Sequence, residues 1–425
     1  MQICVFEDRK GPEKLYPLTY LRATFELRCG RTTLLDKIIS GFKDKKINLW
    51  VRDCLIELTK EKFDYPVNDV EALKKDDLLF VSGRLLVDER MEFETKEGIY
   101  YARAEATEGG ALYSPENIAY IYVKKESLKD LRDPVEHLLA LQLPTKEVQV
   151  TLIKYPWDLI NNNSHQIEFD FKRLGKSSAS LPGSVAVVGD KNKIYIGKDV
   201  EIYPCSVLEA VHGPVIIEDG AKIFPFSRIE GPAVIGKDAQ IFSAKIREGT
   251  TIGEMCRVGG EVEESIMHGY SNKYHDGFLG HSYVCEWVNL GALTTNSDLK
   301  NDYSSVSVYI GGEFVDSKST RVGAFIGDHV KTSIGTLFNT GTVVGLMSIV
   351  VGGDGVLPKF IPSFCWFLNR KPTKGYGFDM LLETAKKVTS RRGRELTQAQ
   401  IKLLEFAKEL TKEETLALIK KARKE

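Results

Sequence analysis

The stretch IEDGAKIFPFSRIEGPAVIGKDAQI (residues 217–241) places an isoleucine at every sixth position: Ile217, Ile223, Ile229, Ile235 and Ile241. A helix repeats its buried face every 3.6 residues and a strand every second residue, so neither uses one aliphatic in six. A triangular coil does, because each flat side takes about six residues and points one aliphatic inward. Stacked coils then bury continuous aliphatic columns, and the stability is that of a solenoid. The spacing recurs outward from this stretch, at Ile196 and Ile202, at Ile252 and Val258, and at Phe338, Val344 and Val350. Residues 183–364 therefore read as a left-handed parallel β-helix of hexapeptide repeats. The repeat breaks between Gly260 and Leu279 and between Asn296 and Val322, where loops are expected to leave the coil.

Residues 1–175 have a different texture. Ile3 to Phe6, Ile47 to Val51, Leu78 to Val81 and Ile118 to Val123 read as strands and Thr33 to Phe42 as a helix. That alternation predicts an α/β domain with a mostly parallel sheet. The polar segment Lys172 to Pro182 is the expected linker. Residues 375–425 are charged and helical, with Leu403, Leu404, Phe406, Ala407, Leu410, Leu416 and Leu418 as the apolar positions of a tail packed on the coil or on a neighbour.

Lys+Arg 58 against Asp+Glu 59 leaves no field to recruit nucleic acid or an anionic membrane, so an anionic substrate needs local basic residues. Seven cysteines, scattered and without a C-x-x-C pair, point to a reducing compartment and to neither disulfides nor zinc. No apolar run approaches the roughly 20 residues of a membrane span, and the expected location is cytoplasmic. The charged runs Glu261-Val262-Glu263-Glu264 and Arg391-Arg392-Gly393-Arg394 read as a solvated edge and a helix end or subunit contact, and Trp157 as an anchor between domains.

Among the histidines, His275 has the most informative surroundings. It sits in the polar, glycine-containing run Ser271 to Gly280, which leads straight back into the coil. The small and polar stretch Val288 to Asn296 follows and could line a cleft. The segments HDGFLGHSYVCEWVNLGALTTNSDLKN (275–301), FIGDHVKTSIGTLFNTGTVVG (325–345) and PSFCW (362–366) resemble the bifunctional enzymes that acetylate glucosamine-1-phosphate and then uridylylate the product. They are still more similar to a diverged bacterial branch of sugar nucleotidyltransferases within that group. The resemblance covers nearly the whole chain and is stronger over 180–370 than over 1–175.

That resemblance implies acetyl transfer from acetyl-CoA, with His275 as general base, Arg247 holding the sugar phosphate, and Asn289 and Asn296 holding the amino sugar. It implies coenzyme A contacts at Thr332, Ser333, Thr340 and Arg370, and a homotrimer with the tail capping it. The chemistry is consistent, since an ammonium must lose a proton before attacking a thioester and histidine is poised for that near neutral pH. The chain departs from the family at Ser265, Phe278 and Leu293, where lysine, tyrosine and glycine are expected. Lys273 is the candidate replacement charge.

For residues 1–175 the resemblance implies a sugar-1-phosphate nucleotidyltransferase using a nucleoside triphosphate and Mg²⁺, with Arg22, Arg28 and Arg84 on phosphates. Here the family's Gly-rich loop is reduced to Glu7-Asp8-Arg9-Lys10-Gly11-Pro12, and its metal-binding aspartate is lost in Val81-Ser82-Gly83-Arg84. Asp8 or Asp88 is the candidate metal ligand in its place. Two other readings stay open: a nucleotidyltransferase whose β-helix only oligomerises, and a non-enzymatic sugar-nucleotide-binding scaffold.

Overall fold

The computed structural model describes the chain except residues 43, 90, 104–113, 178, 180, 353–354, 376 and 425. Packing divides it into two units. The first comprises Met1–Leu15, Arg22–Leu27 and Thr32–Tyr155; the second comprises Tyr16–Leu21, Arg28–Arg31 and Pro156–Glu425.

The first unit is built on a six-stranded sheet ordered Ile47–Trp50, Gln2–Phe6, Leu78–Ser82, Ile118–Val123, Gly98–Ala102, Thr145–Val148. Its buried strands read as continuous apolar runs, with Ile3, Cys4 and Val5 fully buried and Phe6 stacked on Phe80 at 4.0 Å. The helix Leu34–Ser40 starts where Thr33 and Asp36 form a capping box, Thr33 Oγ1 accepting from the Asp36 amide at 3.2 Å. The sheet is mostly parallel, as expected, with one reversed strand. Ile3 pairs in parallel with Ile47 and Leu79, and Ile99 in parallel with Thr145, whereas Ile118–Val123 runs antiparallel to both its neighbours, Leu79 facing Tyr122 and Ile99 facing Ile121.

The second unit is a β-solenoid of about ten turns. Register partners advance by one turn, from Val215 to Ala233 and on to Thr250. Three inward columns result. The first runs Ile196, Ile217, Ile235, Ile252, Met267, Val284, Ile326, Val344, Ile361. The second runs Leu208, Ile229, Ile246, Val262, Leu279, and the third Ile202, Ile223, Ile241, Val258. The five isoleucines at six-residue spacing thus visit the three sides in turn, and all five are fully buried.

One of the two expected breaks is a real excursion. Between Asn296 and Val322 the chain leaves the coil as the antiparallel hairpin Ser307–Ile310 and Glu313–Asp316. Between Gly260 and Leu279 it stays in the coil, with Thr251 paired to Ile266, Val258 to Lys273 and Val262 to Leu279. This turn is short, and it puts a lysine where the third column expects an aliphatic. Lys273 is 2% exposed, and its Nζ donates to the Gly259 carbonyl at 2.8 Å and the His275 carbonyl at 3.3 Å.

Elements flanking the coil cover its outer faces. The helices Pro156–Asn161 and Asn163–Phe171 belong to the coil unit, because Ile167 packs on the outward side chains Ile216 and Val234. The packing boundary is therefore Tyr155/Pro156, ahead of the polar segment 172–182. Trp157 likewise sits within the coil unit, its ring 6.4 Å from that of Phe325. The tail helices Phe378–Ser390 and Gln398–Ala422 lay Leu381, Ala385, Leu404 and Ala407 against Leu346 and Met347 of their own coil. Tyr309 of the hairpin donates to Glu414 at 3.0 Å, which ties the tail to the excursion. No helix among the described residues is long and apolar enough to cross a membrane.

A buried ionic column fastens the excursion. His281 Nδ1 is 2.8 Å from Asp298 Oδ2, and its Nε2 is 3.1 Å from Glu264 Oε2. Arg321, at the far end of the excursion, approaches Asp298 to 3.6 Å. Burial pulls the imidazole pKa down, but the hydrogen bonds to Asp298 and Glu264 outweigh it and raise it to about 9. A raised histidine stabilises fully below its unfolded pKa of about 6.5, and that contribution disappears as pH rises through about 9. Glu264 and Asp298 are lowered, so their contribution is lost on acidification instead.

Two outcomes follow for chemical denaturation of single-residue variants. His281→Asn, which keeps a side chain tolerant of the left-handed backbone there (φ 46°), should cost roughly 3 kcal/mol near pH 6 and little near pH 9.5. An equal cost at both values would remove the ionic account. Burial lowers the Lys273 pKa to about 8, against the weaker opposing charges of Asp276 and Glu261. The charged lysine therefore costs stability in full below that pH and none above about 10.5. Lys273→Met should gain about 1–2 kcal/mol near pH 7, after losing its two hydrogen bonds, with the gain gone near pH 10.5.

Candidate active site

The loop Tyr274 to Gly277 lies at a coil corner directly after the inward Lys273. Glycine at 260 is what lets it settle: a Cβ there, at φ 72°, would meet the Gly277 carbonyl oxygen and Lys273 Nζ, each at 2.7 Å. Tyr274 folds back over Gly259 and its ring lies 4.2 Å from that of Phe242, which stacks on Phe224 at 4.6 Å. This ladder props the loop from below. His275 stands at its top, exposed, with its ring 5.0 Å from Tyr274 and edge-on to it. Among the described residues no side chain or backbone group hydrogen-bonds its ring nitrogens.

Arg247 follows the second-column Ile246, two turns below Leu279. It is half-buried and only loosely paired, 3.8 Å from Glu230 and 3.7 Å from Glu261. Glu261 and Asp276 are the acids whose charges reach Lys273. Glu261, 3.7 Å from Arg247, and Asp276, next to His275 in the chain, thus line one neighbourhood. Lys273 underlies it, but its ammonium points into the coil and offers no charge to a phosphate at the surface.

The two asparagines separate. Asn289 is exposed, is the register partner of Asn272 and Lys331, and accepts from Asn272 Nδ2 at 3.2 Å. Asn296 is 3% exposed and takes the inward place beside Phe338. Its amide accepts from the Gly280 N–H at 2.9 Å and donates to the Gly280 carbonyl at 3.0 Å, so it is spent closing the coil. The expected coenzyme A residues divide in the same way. Thr332 is buried, accepting from the Gly291 amide and bonded to Thr294, each at 2.9 Å, and Thr340 is also buried. Ser333 is half-buried and accepts from the Gly352 amide at 2.9 Å. Arg370 lines a cavity of about 300 Å³ with Asn339, Val351, Gly352, Val356 and Phe367.

The His281 column was missed on the sequence. It has a readable signal: Glu264, His281 and Asp298 are each 17 residues apart, one coil turn, and so stack. With both ring nitrogens bonded to carboxylates, His281 is a fastener and cannot serve as a proton acceptor.

In the first unit, Asp8 and Arg84 neutralise each other. Arg84 is 2% exposed; its Nε donates to Asp8 Oδ2 at 2.6 Å, and its terminal nitrogens donate to the Ile153 and Glu116 carbonyls at 3.1 and 2.6 Å. The other Asp8 oxygen accepts from the Lys10 and Gly11 amides. Asp8 is therefore not disposed as a metal ligand, nor Arg84 as a phosphate ligand. Arg22 is buried, and its carbonyl accepts from Arg52 at 3.1 Å. Arg28 falls outside this unit altogether, its amide donating to Tyr283 of the coil at 3.0 Å. Among the described residues no group of three or more His, Cys, Asp and Glu side chains is placed to hold a metal.

Residues 3–179 match the family model described as sugar nucleotidyl transferase. The bifunctional sugar-1-phosphate nucleotidylyltransferase/acetyltransferase of Sulfurisphaera tokodaii is 28% identical over 253 residues, 57% of each chain. The bifunctional protein GlmU of Methanococcus aeolicus is 34% identical over 45% of this chain and 40% of its own. That of Bartonella bacilliformis is 29% identical over 40% and 41%. The chain spans between about two-fifths and three-fifths of the length of these curated relatives. Among solved structures, the UDP-N-acetylglucosamine acyltransferase from Campylobacter jejuni matches 53% of this chain and 95% of its own at 13% identity, with a TM-score of 0.26. A mixed α/β sheet matching sugar nucleotidyl transferases over 3–179, joined to a β-solenoid, makes this chain similar to enzymes that pair nucleotidylyl with acetyl transfer.

Proposed function

We propose that the coil transfers an acetyl group from acetyl-CoA to the amine of an amino-sugar 1-phosphate, with His275 as general base. The observation that carries this reading is the exposed His275 imidazole, unpaired among the described residues, on a glycine-set corner loop. In the step proposed, a ring nitrogen takes a proton from the ammonium and the freed amine attacks the thioester carbonyl carbon. The tetrahedral adduct expels the coenzyme A thiolate and its nitrogen gives up a second proton; of the two protons lost by nitrogen, one reaches the thiolate from the imidazolium and the other passes to solvent. Atoms and charge balance without a metal. Arg247 is suited to the sugar phosphate because its two acidic neighbours hold it loosely. Asn289 is the remaining candidate for the amino sugar, and Ser333 and Arg370 for coenzyme A. We further propose a homotrimer, which would place a neighbour's coil against the His275 corner.

The first unit is proposed to handle the sugar 1-phosphate and a nucleoside triphosphate, with Arg22 as the remaining basic candidate. A second reading, in which it binds a sugar nucleotide without transferring it, is favoured by the closed Asp8–Arg84 pair.

Purified protein should convert acetyl-CoA and an amino-sugar phosphate to an acetylated product detectable by mass. His275→Ala should lower kcat by about 10²–10⁴ with little change in the KM for acetyl-CoA. A variant that keeps its turnover but melts earlier would assign His275 a structural role instead. Light scattering at micromolar concentration should give a trimer mass, and a monomer would count against a shared site. In the first unit, millimolar Mg²⁺ alone should leave the melting temperature unchanged. Asp8→Asn should destabilise by about 3 kcal/mol, because it leaves Arg84 buried and unpaired. Mg²⁺-dependent stabilisation that Asp8→Asn removes would restore Asp8 as a metal ligand.

A further inference from the structure

Three arginines from distant parts of the chain converge on one face of the coil unit. Arg28 comes from the segment Arg28–Arg31, Arg257 opens the strand Arg257–Glu263, and Arg392 follows the tail helix Phe378–Ser390. Arg257 and Asn272 are register partners on adjacent strands, and Arg392 Nη2 donates to Asn272 Oδ1 at 2.8 Å. The buried Cys256 thiol, next to Arg257 in the chain, is pushed up to about 12 by burial, while the charges of Arg28 and Arg392 both reach it and pull the other way. Asn272 thus brings Arg392 beside Arg257, and the charge of Arg28 reaches the chain neighbour of Arg257.

What the three lack is a counter-charge. Among the described residues none of the three forms an ion pair. Arg28 Nη1 donates to the Arg31 carbonyl, Arg392 donates to the Asn272 amide oxygen, and the Arg257 guanidinium makes no hydrogen bond. The Nε atoms of Arg28 and Arg257 are both buried without a partner. The acids on this face are turned to other groups: Glu254 to Tyr270, and Glu286, whose charge also reaches Cys256, to within 4.0 Å of His268 Nε2. Burial, and then the charge of Arg257, hold Arg392 below the ordinary arginine range. Buried donors without acceptors and unscreened like charges both raise the free energy of the folded chain. A tetrahedral oxyanion would satisfy both at once, since guanidinium forks match its oxygens.

We propose that Arg28, Arg257 and Arg392 form a binding site for a phosphate-type oxyanion that fastens segment 28–31 and the tail to the coil. None of the three arginines is among the residues proposed for acetyl transfer. The site does not depend on the acetyl-transfer reading. The anion is inorganic phosphate or the phosphate group of a small metabolite.

The test melts the full chain in phosphate-free buffer and titrates it with sodium phosphate against sodium chloride of equal ionic strength. Phosphate should raise the melting temperature by about 2–5 °C beyond chloride. Arg257→Gln and Arg392→Gln should abolish that rise, yet melt no lower than the wild type without phosphate, because each removes one of three repelling charges. A wild type indifferent to phosphate, or variants that keep the rise, would overturn the site. Calorimetric titration of the wild type with phosphate keeps the test decisive if a variant does not fold. Saturation at one site per chain is expected, and no saturable heat is the contrary result. Parallel titrations with pyrophosphate and a hexose 1-phosphate identify the source: a larger rise than phosphate gives points to a metabolite, and an equal or smaller one to the free ion.

Discussion

Each side of each coil must turn one side chain into a dry interior shared with the turns above and below. The three columns are the consequence, and they decide what every other residue can do. A column position is surrounded by aliphatic neighbours in a close-packed interior, so it is closed to solvent chemistry. Reactive groups are left with the corners, the outward faces and the excursions. His275 is at a corner, Arg257 and Asn289 face outward, and Tyr309 is on the hairpin. The outward faces are themselves partly spoken for. Ile216 and Val234 point away from the coil axis yet are buried beneath Ile167, and Leu346 and Met347 lie beneath the tail.

The solenoid was legible because one aliphatic per six residues has a single geometric meaning. What misled was polarity inside the same frame. Residues 260–279 contain glycines, a lysine and charged groups, and hydrophobic spacing cannot distinguish a loop from a coil whose inward residue happens to be Lys273. Strand pairing distinguishes them, since Val258 and Lys273 are register partners. In the first unit the strands and their mostly parallel order were legible, and the reversal of Ile118–Val123 was not. Direction depends on whether the connection is long enough to return the chain, which apolar runs do not report.

Site residues were legible as types and only partly as places. The exposed corner position of His275 was legible because a corner loop must be polar, and the sequence around it is. Asn296 and Thr332 have the chemistry of ligand contacts, but their inward positions turn that chemistry on the coil itself. Asp8 and Arg84 each suit a phosphate or metal site, and 76 residues separate them in the chain, so their mutual neutralisation is visible only once strands Gln2–Phe6 and Leu78–Ser82 are side by side. Arg28 was grouped with Arg22 by nearness in sequence, whereas packing assigns the two to different units. The 17-residue spacing of Glu264, His281 and Asp298 was the opposite case, a signal present in the sequence that only the coil period makes readable.

The distribution of polar groups inside the coil carries its own argument. From Ile202 to Val258 the third column is wholly aliphatic, and the second is so from Leu208 to Leu279. Then Lys273, Asn296 and Thr332 intrude within adjoining turns. A buried ammonium and buried amide and hydroxyl groups are tolerated only with internal partners, and each has them: Lys273 with two carbonyls, Asn296 with Gly280, Thr332 with Gly291 and Thr294. Stability alone would have kept isoleucine and valine at these positions, as it did lower in the coil. The turns that break the rule are those carrying His275, Asn289 and Ser333 on their outer surface. Departures from local consistency concentrate where function constrains a fold. On this physical ground the acetyl-transfer site proposed above is assigned to these turns and not to the all-aliphatic turns below them.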